Sequence, residues 1–200
     1  FYNQTGTSPI HPTPVIGVLG VIDDVARRIP TGFGVPGDAI VLLGETREEL
    51  SGSEWANVVH GHLGGSPPAV DLAAEAALGT AVQAAGEAGL LSSAHDLSDG
   101  GLAQTLVESC LQGEVGARIA LPDGELDPFI ALFAESAGRM LVSLPEANLV
   151  AFAELCARHD VPFTRLGEVS DQAELTIEGQ FTVGLPELAA AHETAPLAFG

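Results

Sequence analysis

An acidic, glycine-containing turn between an apolar run and an amphipathic segment constrains the fold of this chain more than any other sequence feature. The turn reads His95-Asp96-Leu97-Ser98-Asp99-Gly100-Gly101, between the apolar run 89–94 and a segment of helical periodicity over 102–112. This order predicts a strand, a tight turn and the start of a helix. Asp96 and Asp99 offer carboxylates to a divalent cation, and the two glycines leave the first helical N–H groups open to an anion.

A simpler interpretation of the same turn is structural. Ser98 or Asp99 caps the helix that follows, and the glycines only satisfy the backbone of a sharp turn. The residues of the turn are compatible with both interpretations.

The charge of the chain limits the partners that it can bind. Its 200 residues carry a formal net charge of −20, and its seven basic residues are all arginines scattered along the sequence. Binding to nucleic acid or to an anionic membrane surface needs clustered cations, so both are excluded as partners. The chain has no lysine, which excludes a P-loop and Schiff-base chemistry. A nucleotide would therefore be held through Mg²⁺ that bridges carboxylates and phosphates.

From residue 37 onward, strand-like and helix-like segments alternate. Strands are predicted over 39–43, 90–94, 117–121, 139–144, 163–169, 174–177 and 180–183, and helices near 53–59 and over 70–88, 102–112, 128–136, 146–159 and 186–192. This alternation predicts an α/β (α+β) fold in which a mixed sheet carries helices on one face.

The glycine- and proline-rich stretch 30–36 predicts a domain boundary. Residues 36–200 are then a self-contained domain, and residues 1–35 are the incomplete end of a preceding one. The apolar run from Pro14 to Val25 is predicted to be a strand of that preceding domain, buried on both faces. Since the chain has neither an initiator methionine nor a signal peptide, we expect it to begin within a longer protein.

The surroundings of the two cysteines and the absence of common catalytic motifs exclude several enzyme classes. Cys110 and Cys156 stand alone, without C-x-x-C spacing, in apolar helical patterns. They are predicted to be reduced core thiols of a cytoplasmic protein. The sequence has no G-x-S-x-G, H-E-x-x-H or G-x-G-x-x-G element. Nucleophilic and zinc-hydrolase mechanisms are therefore not indicated, and no catalytic residue is assigned.

Five motifs in a fixed order resemble one enzyme family. They are F-Y-N-Q-T-G (1–6), P-T-P-V-I-G-V-L-G (12–20), P-G-D-A-I-V-L-L-G (36–44), G-S-E-W (52–55) and A-H-D-L-S-D-G-G-L-A (94–103). Together they resemble phosphoribosylformylglycinamidine synthase, the formylglycinamide ribonucleotide amidotransferase of purine biosynthesis. The resemblance is to the C-terminal portion of its synthetase subunit, whose fold duplicates that of aminoimidazole ribonucleotide synthetase.

The resemblance implies an ATP-dependent ligase. In that reaction ATP phosphorylates the formamide oxygen of formylglycinamide ribonucleotide, and ammonia from glutamine then displaces phosphate. The Asp and Ser of the H-D-x-S-D-G-G turn, which contact metal and nucleotide in larger relatives, match Asp96 and Ser98. We therefore expect Asp96 and Asp99 to bind Mg²⁺, and Ser98, Gly100 and Gly101 to bind ATP or an auxiliary nucleotide.

The resemblance also implies partners. These are the rest of the synthetase chain, a glutaminase subunit and a small accessory subunit. In the family, a G-N-x-S element that contributes to the site comes directly before the F-Y-N motif with which this sequence begins. Two alternatives to the ligase remain open. In the first, the domain is a structural half of the duplicated fold whose turn binds nothing. In the second, it belongs to a sister ATP enzyme of the same superfamily.

Overall fold

The computed structural model describes residues 2–10, 16–62, 64–122, 124 and 126–194. Strands β1 (Asn3–Thr5) and β2 (Ser8–Ile10) form a separate hairpin, which the sequence analysis does not predict. The other seven strands form one mixed sheet with the order β4-β6-β3-β7-β5-β8-β9. They are β3 (Ala39–Leu43), β4 (Ser93–Asp96), β5 (Gly116–Ile119), β6 (Met140–Leu144), β7 (Phe163–Ser170), β8 (Glu174–Ile177) and β9 (Phe181–Gly184).

Six helices alternate with the strands of this sheet over the residues that the structure describes. They are α1 (Glu54–His60), α2 (Leu72–Glu87), α3 (Gly101–Gly113), α4 (Pro128–Phe133), α5 (Leu149–Arg158) and α6 (Leu185–Thr194). Only β5 and β8 pair in parallel, and the other neighbouring strands pair antiparallel. The predicted α/β class and mixed sheet are confirmed.

The prediction that helices cover one face of the sheet is wrong for half of it. All five residues of β3 are buried, and residues 40–43 alternate between two separate core clusters. Ile40 and Leu42 pack on the side of α3, α4 and α6, whereas Val41 and Leu43 pack on the side of α2 and α5. A strand that is apolar at every position must be covered on both faces. Helices therefore pack on both faces of the sheet at β3, instead of on one face as predicted.

The outer half of the sheet has the predicted one-sided character. In β5, Ala117 and Ile119 are buried in the cluster that contains α3, while Arg118 between them is exposed. Glu168 of β7 pairs with Arg118 and is also exposed. Apolar and polar residues therefore alternate where helices cover only one face.

The predicted strand from Pro14 to Val25 is not formed over its described part. Residues 14 and 15 lie outside the described residues, and residues 16–24 have no regular structure. Val18 and Leu19 are more than 90% exposed, and a short 3-10 turn follows at Val25–Arg27. Within the described residues no strand pairs with this run, so its backbone groups lack the partners that a strand requires.

The chain joins the sheet domain before residue 36. The Pro30 carbonyl accepts a hydrogen bond from the Ala94 backbone N–H at 2.9 Å, along the outer edge of β4. The Phe33 N–H donates to the Ser109 carbonyl of α3, and the Phe33 side chain is buried in the core. This contact covers an edge strand that would otherwise be open. The domain division at residues 35 and 36 remains a prediction.

The two cysteines lie in the two core clusters, as predicted. Cys110 of α3 and Cys156 of α5 are fully buried, free thiols. Burial raises the pKa of Cys110 to about 12 and that of Cys156 to about 11. A thiol with such a pKa is not an activated nucleophile.

Among the described helices, none has the length and apolar character needed to cross a bilayer.

Candidate functional site

The sheet topology brings the predicted acidic turn to an edge where two strands end. Strands β3 and β4 both run antiparallel to β6, which lies between them. Their carboxyl ends therefore meet at the edge where β6 begins. A cleft of about 550 Å³ opens at this edge. We call it the acidic cleft, and its lining residues are Pro68, Glu75, Leu78, Gly79, Asp96, Leu97, Ser98, Asp99, Glu135, Ala137, Gly138, Arg139 and Met140.

Asp96 is the last residue of β4 and begins the turn. The strand covers residues 93–96 instead of the predicted 90–94, because its pairing with β6 runs from Ser93–Ser143 to Asp96–Met140. The Asp96 side chain is 66% exposed, and its Oδ2 accepts a hydrogen bond from Ser98 Oγ at 2.6 Å. The structure thus brings Asp96, Ser98 and Asp99 together at the cleft.

The two glycines of the turn have backbone conformations that side chains disfavour. Gly100 has a φ of 78° and Gly101 a φ of 62°. A Cβ at Gly101 would lie 2.4 Å from the Ala134 carbonyl oxygen, so α3 begins in close contact with the segment that follows α4. Glycine is therefore required here by both conformation and space.

The N–H groups of these glycines already have partners in the chain. The Gly100 N–H donates to Glu135 Oε1 at 2.8 Å, and the same oxygen accepts the Glu54 N–H of α1 at 2.8 Å. The Gly101 N–H donates to the Ser98 carbonyl at 3.1 Å. A carboxylate of the protein itself therefore occupies the position where the sequence predicts an anion.

The prediction that Ser98 or Asp99 caps α3 is wrong, whereas the conformations of Gly100 and Gly101 agree with the structural role predicted for the glycines. Residue Gly100 is the N-cap of α3, and no side chain of the turn makes a capping hydrogen bond. Glu135, 35 residues away in sequence, instead accepts the N–H of the N-cap residue Gly100, and a local motif search does not find this contact. By contrast, Ser53 of the G-S-E-W motif caps α1 locally, through its Oγ and the Ala56 N–H.

The carboxylates of the cleft fit a shared magnesium ion better than an ion held by the protein alone. Glu75, Asp96, Asp99 and Glu135 line the cleft, but among the described residues no three acidic, histidine or cysteine side chains lie close enough to hold a metal together. Mg²⁺ commonly takes one or two carboxylates and completes its shell with water and phosphate. Exposed Asp96 fits that arrangement.

Arg139 is a functional candidate that the sequence analysis misses. It is 3% exposed, and its guanidinium donates to the Ser136 and Ala134 carbonyls and to Thr46 Oγ1. Burial lowers its pKa to about 10, while Glu49 and Glu135 act in the opposite direction. Among the described residues that line the cleft, it is the only cation. Its one sequence signal is a lone charge directly before an apolar strand.

The comparisons with known proteins identify the family. The family model described as AIR synthase related protein, C-terminal domain, matches residues 35–180. The chain belongs to this family. The AIR synthase related C-terminal domain thus includes the sheet from β3 to β8 and the acidic turn. The resemblance indicated by the five motifs is confirmed by curated relatives.

Two of these relatives show how far the similarity extends. The phosphoribosylformylglycinamidine synthase subunit PurL of Frankia casuarinae is 59% identical over 201 residues, which is 100% of this chain and 26% of the relative. That of Mycobacteroides abscessus is 56% identical over 195 residues, which is 96% of this chain and 26% of the relative. The chain therefore spans about a quarter of the length of these relatives.

Solved structures share the fold of this AIR synthase related domain. Thermotoga maritima PurL complexed with FGAR has a TM-score of 0.72 and 23% identity, covering 82% of this chain and 30% of that one. Thermotoga maritima PurL complexed with ATP has a TM-score of 0.65 and 22% identity, covering 82% of this chain and 28% of that one.

Proposed function

We propose that this chain forms part of the synthetase subunit of phosphoribosylformylglycinamidine synthase, an ATP-dependent carbon–nitrogen ligase of purine biosynthesis. One observation carries the proposal. Curated PurL subunits are 52% to 59% identical to this chain over 96% to 100% of its length. The longer enzyme converts formylglycinamide ribonucleotide, ATP and ammonia to the amidine, ADP and phosphate.

Within this function, the acidic cleft is a nucleotide site that depends on Mg²⁺. Four carboxylates and one buried arginine line it, so an unaccompanied polyphosphate would be repelled. Asp96 and Asp99 would hold the ion, and Ser98 would contact phosphate. Bound Mg²⁺ would neutralise phosphate charge and orient the nucleotide. The amides of Gly100 and Gly101 would join only if Glu135 and the Ser98 carbonyl released them.

The partners and location of this chain follow from the same proposal. The rest of a synthetase chain would supply the catalytic residues, and a glutaminase subunit would supply ammonia. A small accessory subunit would be a further partner. The Thermotoga maritima PurLQS structure shares the fold, with a TM-score of 0.64 and 22% identity over 82% of this chain and 28% of that one. The proposed location is the cytoplasm.

An exchange chimera tests the proposal. The matching segment of the Frankia casuarinae subunit is replaced by these 200 residues, and amidine formation is measured from formylglycinamide ribonucleotide, ATP and a high concentration of ammonium. We expect turnover comparable to that of the intact relative, and no turnover from the 200-residue chain alone. A folded chimera without activity, or an active isolated chain, would contradict the proposal.

One observation favours a second candidate function, that of a structural half without a ligand. Glu135 already satisfies the N–H groups of Gly100 and Glu54. In that case the turn would only hold α1 and α3 together. Calorimetric titration of the chimera with ADP, with and without Mg²⁺, separates the two. The nucleotide site predicts a heat of binding that needs Mg²⁺ and that Asp96→Asn removes. The structural role predicts the same titration for the chimera and for its Asp96→Asn variant.

A further inference from the structure

The side chain of His95 links helix α3 to the backbone of the acidic turn. Its Nδ1 forms a hydrogen bond of 2.8 Å with the carbonyl oxygen of Asp96, and its Nε2 lies 3.1 Å from Glu108 Oε2 of α3. Because a carbonyl oxygen only accepts, Nδ1 is the donor of the first contact. The His95 side chain is only 13% exposed, so the ring is enclosed between strand and helix.

The helix side of this link is itself fixed. Glu108 Oε1 accepts a hydrogen bond from Gln104 Nε2, one turn earlier in α3, at 3.0 Å. Each carboxylate oxygen of Glu108 therefore has a neighbour, Oε1 in Gln104 and Oε2 in His95, and the side chain is 29% exposed. A carboxylate held in this way limits the rotamers of the ring that it contacts.

The turn side of the link is the residue proposed to hold the metal. Asp96 ends an edge strand, so its carbonyl lies where the ladder with β6 stops. That carbonyl accepts from His95 Nδ1 and from Thr105 Oγ1 of α3, the latter at 3.2 Å. The Thr105 hydroxyl also lies 3.0 Å from the Gly101 carbonyl, so His95 is the side chain that contacts the Asp96 carbonyl most closely.

We propose that His95 is a positioning residue, which fixes the Asp96 carboxylate for a magnesium-bound nucleotide through its hydrogen bond to the Asp96 carbonyl. Its Nδ1 also lies 3.6 Å from Asp96 Oδ1, but the hydrogen bond is the shorter contact with the Asp96 carbonyl. His95 touches neither nucleotide nor metal in this role. The inference rests on the proposed function of the cleft. The loss of a residue that orients a metal ligand typically costs about 10- to 100-fold in affinity.

The test measures ADP binding in the presence of Mg²⁺ by the exchange chimera. The site that Asp96→Asn removes identifies the turn, and its Kd is followed in three variants. His95→Ala removes the link, His95→Asn keeps a donor at the position of Nδ1, and His95→Gln moves the donor towards Glu108. His159→Gln, beyond the end of α5, is the matched control, and the Tm of each variant is recorded.

We expect His95→Ala and His95→Gln to weaken ADP binding by about 10-fold or more and His95→Asn to restore it to within about 3-fold. His159→Gln should change nothing. The inference is overturned if His95→Ala binds ADP as the parent does, or if His95→Asn and His95→Gln are equally weak at equal Tm. Should His95→Ala fail to fold, the comparison of Asn with Gln still decides.

The same experiment separates this inference from the proposed function. If Asp96→Asn removes no ADP site, the turn holds no nucleotide and the positioning role of His95 is wrong. Amidine formation by the unmodified chimera would still support the ligase function. Loss of that activity in a folded chimera, with ADP binding at the turn intact, would instead contradict the function alone.

Discussion

Two apolar runs of this chain have the same local character and different structures. Residues 39–43 (Ala-Ile-Val-Leu-Leu) form β3, and none of them is more than 7% exposed. Residues 16–22 (Ile-Gly-Val-Leu-Gly-Val-Ile) form no strand, and Val18, Leu19 and Val21 are more than 90% exposed. Composition alone predicts a buried strand at both places.

The difference lies in what surrounds each run. Strand β3 pairs with β6 on one side and β7 on the other, and helices cover both of its faces. The run 16–22 pairs with none of the described strands. Strand propensity largely measures the fit of a side chain to neighbours across the sheet, so it has no effect where those neighbours are missing.

Truncating the same residue type in each run gives the largest expected contrast. Leu43 is fully buried, and Leu43→Ala should lower the free energy of unfolding by about 2–5 kcal/mol through lost burial and a residual cavity. Leu19 is 95% exposed, and Leu19→Ala should change stability by no more than about 0.5 kcal/mol. Urea unfolding of both variants measures the contrast, and equal losses would show that residues 16–22 are buried after all.

The cysteines test the burial of the two core clusters. Cys110→Ala should lower the free energy of unfolding by about 1–3 kcal/mol, as expected for a small buried side chain. Burial raises the pKa of Cys110 from its ordinary 9.0 to about 12, so the folded thiol stays protonated where the unfolded thiol ionises. Its contribution to stability is therefore fully present below about pH 9 and is lost as the pH rises towards 12.

Two measurements check this prediction. Native protein at pH 8 should react slowly with iodoacetamide, and protein in urea should react quickly. Unfolding midpoints between pH 8 and pH 10 should fall less in Cys110→Ala than in the parent chain. Rapid alkylation of the native thiols would contradict the buried position of Cys110 and Cys156.

Two helix caps extend the comparison from strands to turns. Asp71 accepts from the N–H groups of Ala73 and Ala74 at the start of α2, a helix that packs on the sheet. Asp24 makes the same type of contact with Ala26 in an exposed 3-10 turn. We expect Asp71→Ala to lower the Tm measurably and Asp24→Ala to leave it unchanged, since only the first helix is coupled to the core.

The pH dependence of the cap gives an independent check. Hydrogen bonds from Ala74 and Ala73 hold the pKa of Asp71 below its ordinary value of 3.8. The contribution of this carboxylate is thus present above that value and is lost as the pH falls through the lower, folded pKa. The Tm difference between the parent and Asp71→Ala should shrink below pH 4, and a constant difference would contradict the cap.

Sequence patterns predict most of this domain because its elements are locally specified. In the part of the chain that the structure describes, the alternation of strand-like and helix-like segments locates the seven strands of the sheet and the six helices to within a few residues. The sequence is apolar at every position of β3 and alternates with a charged residue in β5. This difference marks the two-sided and the one-sided part of the sheet, although the sequence analysis predicts helices on one face throughout. What a pattern cannot supply is the identity of the neighbour, which decides whether residues 16–22 form a strand.

The candidate site divides in the same way. Asp96, Ser98, Asp99 and the two glycines lie in one turn, so their proximity follows from the sequence. Glu135, Arg139 and His95 complete the site through contacts between separate elements. Glu135 reaches the turn from the segment after α4, and His95 is fixed by Glu108 of α3. These partners become visible only when the sheet order is known.

Charged substitutions in the exposed run 16–22 should have the smallest effect on stability of all these changes, and they should alter self-association. An unpaired apolar segment of strand-forming residues invites pairing with another chain, so we expect the 200-residue chain to self-associate through residues 16–22. The double variant Val18→Lys with Val21→Lys should shift sedimentation towards monomer and change the free energy of unfolding by no more than about 0.5 kcal/mol. Gln172→Lys with Gln180→Lys, at exposed turn positions, controls for the added charge. If the parent chain is a monomer at all concentrations, or if both double variants dissociate equally, then residues 16–22 do not mediate the association.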